Sequence, residues 1–325
     1  RHEIYVNLFC GLASPLALRE TELIQFIRTA KLADNPTIMA YDTIWEPGNY
    51  VFRKDRRFRW DRDWREWVEE QYGSLEAAEA DWEFKSPRDD AGHSTAPPDQ
   101  YFRTDGPWRT MMAAYRRFMD DLMSRKWNQA HRKLRAIDPN HMISFRQGNT
   151  LPHDFTFTAT GKHIDFICPE GYAIPHSEDG YFAAGFITKY VHFTTGGKPI
   201  VWSEFGKSVW NSQKMEPSAA GIEAVSEYHD LFYRMVLATG ANGTVPWWWP
   251  GGYRVGERSD YGIMNTDTTP RPAAALITKY AAQLTAPREW PTPTTWFDMD
   301  RDAHAGGYWH VCFNSGRDAY RQAVA

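Results

Sequence analysis

The stretch GKPIVWSEFG, residues 197–206, decides the fold. It is an apolar run typical of a strand buried on both faces, and it ends abruptly in Glu204. A second stretch, YDTIWEP at residues 41–47, ends in the same way at Glu46. A carboxylate at the C-terminal end of a parallel strand is where a (β/α)8 barrel enzyme keeps its chemistry. Two such carboxylates on different strands are what cleavage of a glycosidic bond requires.

Strands and helices alternate along the rest of the chain, which favours a parallel sheet in an α/β fold. The pattern predicts six strands, at 3–9, 37–44, 142–145, 164–168, 199–202 and 243–248. Apolar residues at helical spacing predict helices at 18–31, 60–72, 74–82, 108–137, 178–194, 219–239 and 272–284. The long segment 48–107 is predicted as an insertion that roofs the active face.

Two domains follow from this pattern. Residues 1–287 are predicted to form a TIM barrel catalytic domain that contains the insertion. Beyond residue 287 the alternation ends, and 294–298 and 307–313 are predicted as isolated strands. Residues 288–325 are therefore predicted as a β-rich extension, the start of another domain.

The composition excludes several classes of partner. A net charge of −4 without a basic stripe argues against nucleic acid as a partner. The sequence contains no run of about 18 apolar residues, so no membrane-spanning helix is predicted. Three widely spaced cysteines and scattered histidines show no metal-ligand spacing, so no metal or other cofactor is predicted. Aromatic residues reach 15%, which suits a surface that holds sugar rings, although burial in a core explains many of them equally. The sequence leaves the oligomeric state open, and it favours a bacterial extracellular or periplasmic location only slightly over the cytoplasm.

Several motifs together resemble glycoside hydrolase clan A, the retaining (β/α)8 barrel enzymes. Residues 35–47, NPTIMAYDTIWEP, resemble the fourth-strand motif of family 5 and its relatives, and residues 197–206 resemble the seventh-strand motif. Residues 259–273, SDYGIMNTDTTPRPA, are similar to the segment after the eighth strand. Residues 67–82, WVEEQYGSLEAAEADW, are similar to a helical pair of the family 42 branch. The resemblance spans about 35–284 and implies an N-terminally incomplete barrel that lacks strands one and two.

The resemblance implies a role for each carboxylate. Glu204 would be the nucleophile and Glu46 the general acid/base, with a structural Glu or a surface ion pair as the plain alternatives. Trp45 stands where the clan usually has an Asn that contacts the sugar 2-hydroxyl, which puts the substrate in doubt more than the chemistry. Tyr172 resembles the clan tyrosine that donates a hydrogen bond to the nucleophile, and Glu170 is a rival for a charged role there.

Other residues at strand ends are predicted to bind substrate. Trp248 or Trp249 would form the floor of the sugar site, although burial in the core is an equal alternative. The remaining candidates are Trp45, Trp202, Arg146, Gln147, Asn149, Tyr253, Arg254, Glu257 and Arg258. For the strand-end and loop residues among these, an ordinary loop ion pair is an equal alternative.

The predicted function is hydrolysis of β-glycosidic bonds in an oligo- or polysaccharide by retaining double displacement. A rival hypothesis keeps the barrel without catalysis and binds carbohydrate through aromatic rings alone. A metal-dependent barrel hydrolase would need clustered His and Asp at strand ends, which the sequence does not show.

Overall fold

The computed structural model describes residues 6–9, 19–46, 56–102, 104–149, 160–172, 174–289, 300, 302, 304 and 307–325. The chain divides into two compact units. The first unit comprises Arg1–Ile167, Phe193–Lys198 and Asp298–Val311. The second comprises Cys168–His192, Pro199–Phe297 and Cys312–Ala325. The domain boundary at residue 287 stays a prediction.

Parallel strands form the sheet of the first unit. Strand β1 (Val6–Phe9) pairs with β2 (Ile38–Trp45), and β2 pairs with β3 (Met142–Asn149), both in parallel. Strand β4 (Phe166–Glu170) follows β3 in the order of the sheet and begins in this unit. Tyr41 on β2 is inaccessible to solvent, as expected where a parallel sheet is covered on both faces.

Helices of the first unit include two that come from the insertion. They are α1 (Arg19–Thr29), α2 (Asp61–Tyr72), α3 (Leu75–Trp82) and α4 (Arg109–Arg135). The insertion helices pack on α4 through aromatic rings: Trp64 stacks on Trp82 at 5.7 Å and meets the edge of Tyr115 at 5.1 Å. Ser74 begins α3 as its N-cap, because its hydroxyl accepts the backbone N–H of Ala77 at 3.1 Å. Short 3-10 turns lie at Leu32–Asp34, Arg57–Trp60, Asp99–Phe102 and Thr160–His163.

The second unit repeats the parallel pattern. Its elements are α5 (Glu178–Thr194), β5 (Val201–Trp202), the antiparallel pair β6 (Trp210–Asn211) and β7 (Glu216–Pro217), α6 (Ala219–Thr239), β8 (Gly243–Thr244) and α7 (Pro272–Thr285). Strand β5 pairs in parallel with β8, and beyond β5 the chain forms a parallel bridge between Glu204 and Glu170 at the end of β4. Phe205 then stacks on Phe232 of α6 at 4.3 Å, which anchors the end of this strand to a helix.

A strand with a parallel partner overlaps each of the six predicted strand ranges, and a helix overlaps each of the seven predicted helix ranges. Boundaries shift by a few residues: β3 extends to Asn149, and β8 ends at Thr244. Within the described part of the chain, every helix is too short or too polar to cross a membrane.

The predicted strand at 307–313 is wrong. This segment is helix α8 (Gly307–Phe313), and α9 (Ser315–Val324) follows it. Its aromatic and β-branched residues favour a strand by propensity, but seven residues are too few for periodicity to distinguish the two. The next helix shows the period clearly, since Gly316 and Tyr320 are buried four residues apart. The β-rich character predicted for 288–325 is therefore wrong for 307–325, and the other predicted strand, 294–298, lies outside the described residues.

Candidate active site

Glu204 lies at the end of a buried strand and is 5% exposed. Two backbone bonds fix its position: the Gly171 N–H donates to the Glu204 carbonyl at 2.7 Å, and the Ser203 N–H donates to that of Pro169 at 3.0 Å. The Tyr172 hydroxyl donates a hydrogen bond to Glu204 Oε2 at 2.9 Å. This is the contact that the resemblance implied. Burial and the negative charge of Glu204 both raise the pKa of Tyr172, so the phenol keeps its proton and acts as the donor.

Gly171, between Glu170 and Tyr172, is held by helix α6. A Cβ at this position would lie 2.5 Å from the ring of Phe232 and 2.9 Å from the Cβ of Phe205, so any larger residue would force these side chains to shift. The Tyr228 hydroxyl of α6 donates a hydrogen bond to the Gly171 carbonyl. The backbone that carries Tyr172 is therefore fixed both by the neighbouring strand and by the helix behind it.

Gly206 brings the end of the Glu204 strand against the loop after β8. A Cβ here would lie 2.3 Å from the Trp247 carbonyl oxygen and 3.1 Å from the ring of Tyr261. Tyr261 in turn meets Tyr172 edge to face at 5.7 Å. Glycine two residues after Glu204 thus permits the close approach that builds this side of the site.

Two tryptophans end the eighth-strand segment side by side. The Trp247–Trp248 peptide bond is cis, and the two indole rings lie 5.1 Å apart. The Trp247 N–H donates to the Phe205 carbonyl at 2.8 Å, which places this pair next to the Glu204 strand. Trp249 points to solvent and is 60% exposed. Of the two tryptophans predicted as a sugar floor, Trp248 is the one within the aromatic pair.

The loop after Trp249 folds back over these rings. The Arg254 guanidinium lies 4.4 Å from the Trp248 ring centre, 4.8 Å from that of Trp247, and 2.8 Å from Glu257 Oε1. Tyr253, the predicted binder of the same loop, packs on Trp210 at 4.5 Å and is 36% exposed. The loop therefore adds one cationic group, Arg254, beside the tryptophan pair.

A buried ion pair closes this region. Asp260 and Arg271 form two hydrogen bonds, of 3.1 and 2.7 Å, with both side chains at or near zero exposure. Arg271 also donates to the Gly262 carbonyl at 2.6 Å and to Asn265 Oδ1 at 3.0 Å. The segment 259–273 is thereby tied together just before α7, since Arg271 is the residue that precedes the helix.

Trp202 is wrong as a predicted substrate-binding residue. Its side chain is inaccessible to solvent, and its indole N–H donates to Thr188 of α5 at 3.1 Å. Its ring meets Phe232 of α6 edge-on at 5.2 Å. The side chain therefore lies towards helices α5 and α6, where it packs as core.

Glu46 lies in the first unit, immediately after β2, and is 8% exposed. Its N–H donates to the Arg146 carbonyl at 3.1 Å, and its φ of 42° is in the left-handed region. Left-handed backbone in a residue other than glycine is strained by about 1–3 kcal/mol and concentrates at functional sites.

Arg146 was predicted to bind sugar hydroxyls, and the ion pair left open as the alternative is what the structure contains. Its Nε lies 2.6 Å and its Nη2 2.5 Å from Asp42 Oδ2, and Asp42 is fully buried. Burial raises the pKa of Asp42, while Arg146 and a hydrogen bond from Ser144 act against it. Trp45 and Asn149 end β2 and β3 respectively, and their side chains lie outside the described part of the structure, as does that of Gln147. Their predicted roles stay predictions.

Two aromatic residues of the site were missed from the sequence. Tyr261 lies inside the quoted segment 259–273, and Trp210 lies six residues after Glu204. Proximity to a motif in the sequence does not tell which way a side chain faces, so neither residue could be assigned to the site without the backbone structure. Among the described residues, none of the His, Cys, Asp and Glu side chains form a group of three or more that could hold a metal ion.

Comparison with known proteins gives a consistent assignment. The model of glycoside hydrolase family 42, described as beta-galactosidase, matches residues 13–285. None of the curated proteins matches the chain.

Solved structures resemble the chain at low identity. They include a polyextremophilic β-galactosidase from the Antarctic haloarchaeon Halorubrum lacusprofundi (TM-score 0.56, 15% identity, 79% of this chain and 40% of that one). A cold-adapted β-galactosidase from Rahnella sp. R3 gives a TM-score of 0.57 at 15% identity, over 82% of this chain and 38% of that one. A β-galactosidase from the psychrophilic Marinomonas ef1 gives 0.54 at 16% identity, over 82% and 42%. At such identities the likeness shows the fold, which is TIM-barrel-like α/β, and the chain spans about two-fifths of the length of these structures.

Proposed function

Since the chain belongs to glycoside hydrolase family 42 of clan A, we propose that it hydrolyses β-glycosidic bonds by retaining double displacement. The proposed substrates are β-galactosides, because the family and its structural neighbours are described as β-galactosidases. We assign β2 to the fourth position of the barrel and β5 to the seventh, as the two glutamate motifs suggest.

The hydrogen bond from Tyr172 to Glu204 is the observation that carries the proposal. A nucleophilic carboxylate must be ionised and must point one oxygen at the anomeric carbon. The phenol occupies Oε2 at 2.9 Å. Because the raised pKa keeps the Tyr172 proton in place, the phenol stabilises the carboxylate without competing for the sugar.

The two steps use the glutamates in turn. Glu204 attacks the anomeric carbon while the bond to the leaving oxygen breaks and Glu46 donates a proton to that oxygen. Glu46 then takes a proton from water, whose oxygen attacks the same carbon and releases Glu204. The left-handed backbone of Glu46, with φ of 42°, supports this role, since such strain concentrates at functional sites.

The aromatic pair Trp247–Trp248 supplies the proposed sugar floor. Indole faces cover the apolar face of a pyranose, and galactopyranosides present such a face. The pair adjoins the Glu204 strand through the bond from the Trp247 N–H to the Phe205 carbonyl. The sugar would therefore rest on this floor with its anomeric carbon towards Glu204.

Non-catalytic carbohydrate binding is the second candidate, and one observation favours it. Trp45 replaces the Asn that the clan usually has before its acid/base residue. Loss of that contact with the 2-hydroxyl would weaken transition-state binding more than ground-state binding.

The deciding experiment measures hydrolysis of p-nitrophenyl β-D-galactopyranoside by the full chain. We expect turnover in the wild type, release of the β-anomer first in proton NMR, and no turnover in Glu204→Ala. Added azide should restore release of nitrophenol by Glu204→Ala, and the sugar product should be the inverted α-galactosyl azide. Glu223→Gln, an exposed carboxylate on α6, is the matched control and should behave as wild type.

Each contrary outcome identifies a different error. Activity in Glu204→Ala equal to that of the wild type would remove Glu204 as the nucleophile. A wild type that binds galactose in calorimetry but hydrolyses no aryl β-glycoside would favour the binding barrel.

A further inference from the structure

The guanidinium of Arg254 is held against two indole rings at once. Its Cζ lies 4.4 and 4.8 Å from the ring centres of Trp248 and Trp247. Its Nη1 is buried and has no hydrogen-bond partner among the described residues. The positive charge thus lies against both ring faces, as in a cation–π contact.

Glu257 fixes the other side of the guanidinium. Its Oε1 lies 2.8 Å from Arg254 Nη2, and its Oε2 accepts the Ser259 hydroxyl at 3.2 Å. The backbones of Arg254 and Ser259 exchange two hydrogen bonds, of 2.8 and 3.4 Å, which close the turn between them. The turn therefore presents the guanidinium in one orientation before any ligand arrives.

The rings that Arg254 contacts are tied to the candidate active site. The Trp247 N–H donates to the carbonyl of Phe205, the residue after Glu204, and the Trp248 N–H donates to the Tyr261 carbonyl at 3.2 Å. Tyr261 packs on Tyr172, which donates to Glu204. The two indoles are thus linked to the proposed nucleophile through one or two intervening residues.

We propose that Arg254 is a positioning residue that holds the Trp247–Trp248 pair at a fixed angle as the sugar floor, with Glu257 orienting the guanidinium. The inference rests on the proposed function for its catalytic consequence. Its structural part, the ordering of the two indoles by Arg254, stands by itself. A floor held in place before binding spares the sugar the cost of ordering two large side chains.

The experiment compares Arg254→Met with Arg254→Lys and with a matched control. Methionine keeps the length of the side chain and removes the charge, and lysine keeps the charge without the planar fork. Arg234→Met is the control, because Arg234 on α6 also pairs with an acid, Asp230, and lies 5.8 Å from a ring, that of Tyr181. Each variant is measured by near-ultraviolet circular dichroism and by kcat and KM on p-nitrophenyl β-D-galactopyranoside.

We expect Arg254→Met to change the tryptophan bands of the near-ultraviolet spectrum, to which Trp247 and Trp248 contribute, and to lower kcat/KM about tenfold, which is about 1.4 kcal/mol. Most of the fall should lie in KM, the pH profile should keep its shape, and Arg254→Lys should recover part of both signals. Arg234→Met should match the wild type. A general loss of fold would instead lower the far-ultraviolet signal and change kcat.

Unchanged tryptophan bands in both Arg254 variants would overturn the inference. So would kcat/KM within twofold of wild type in Arg254→Met. A wild type without hydrolytic activity would count against the proposed function alone, since the spectral comparison with Arg234→Met still decides whether Arg254 orders the indoles.

Discussion

Replacing Arg271 with methionine should destabilise the second unit more than any other single loss of charge described above. Arg271 donates four hydrogen bonds, two to Asp260 and one each to the Gly262 carbonyl and Asn265 Oδ1. Methionine fills much of the same volume, so the main cost is the stranded carboxylate of Asp260, which is fully buried. Removing one partner of a buried pair costs about 3–5 kcal/mol. The Gly262 N–H still donates to Asp260 at 3.0 Å, so we expect a loss near the lower limit, about 3 kcal/mol at pH 7.

The loss should depend on pH in a defined direction. Burial acts to raise the pKa of Asp260, but the hydrogen bonds and charge of Arg271, together with backbone hydrogen bonds from Gly262 and Gly252, outweigh it, and the pKa lies below its usual value. A folded-state pKa below the unfolded one means that the pair stabilises fully above about pH 3.9 and loses its contribution as pH falls through the folded pKa. In Arg271→Met the buried carboxyl can accept a proton at low pH, so the gap to wild type should narrow as pH decreases.

Urea denaturation followed by far-ultraviolet circular dichroism at pH 7 and pH 4 measures this difference. Arg258→Met, an exposed arginine of the preceding turn, is the matched control and should change the free energy of unfolding by under about 0.5 kcal/mol. The double variant Asp260→Asn/Arg271→Met should lose less unfolding free energy than the two single variants lose in sum, because it leaves no unpaired buried charge. A loss below about 1 kcal/mol at pH 7, or one that is equal at both pH values, would refute this reasoning.

Three further predictions concern the site and its support. Tyr172→Phe removes a hydrogen bond to a charged group, which should cost about 1.5–3 kcal/mol of transition-state stabilisation. The value of kcat/KM on the aryl galactoside should therefore fall roughly 10- to 150-fold, with the fold intact by circular dichroism. Gly206→Ala sets a methyl group against the Trp247 carbonyl and should cost about 1–3 kcal/mol in urea denaturation, together with most of the activity; wild-type stability would contradict the close approach. Ser74→Ala removes the α3 cap and should cost about 1 kcal/mol without affecting kcat, whereas Ser74→Asp should retain stability.

Much of the fold could be predicted because its signals are local. Helices at 178–194 and 219–239 were predicted to the residue, since apolar spacing and the Ser218 N-cap mark their limits in the sequence. The short strand β5 was recognisable because its apolar run ends at Glu204, a charge that is costly to bury unless it is paired or functional. The prediction for 307–313 failed because the composition of this segment favours a strand, whereas in the structure it forms a helix.

The site was predictable only where a motif fixed both residue and direction. Tyr172 is hydrogen-bonded to Glu204 as the resemblance implied. Trp202 was misassigned because side-chain direction at a strand end depends on where the strand stops alternating, which only the backbone reveals. The partner of Arg146 lies on another strand 104 residues away, and no pattern in the sequence selects Asp42 over the other acids.

The glycine between Glu170 and Tyr172 has a consequence for engineering. Because α6 packs the Phe232 ring against Gly171 and donates the Tyr228 hydroxyl to its carbonyl, the backbone that carries Tyr172 is held from the side of the helix. If Glu204 is the nucleophile as proposed, libraries aimed at a shifted pH optimum should include the inner face of that helix, at Tyr228 and Phe232.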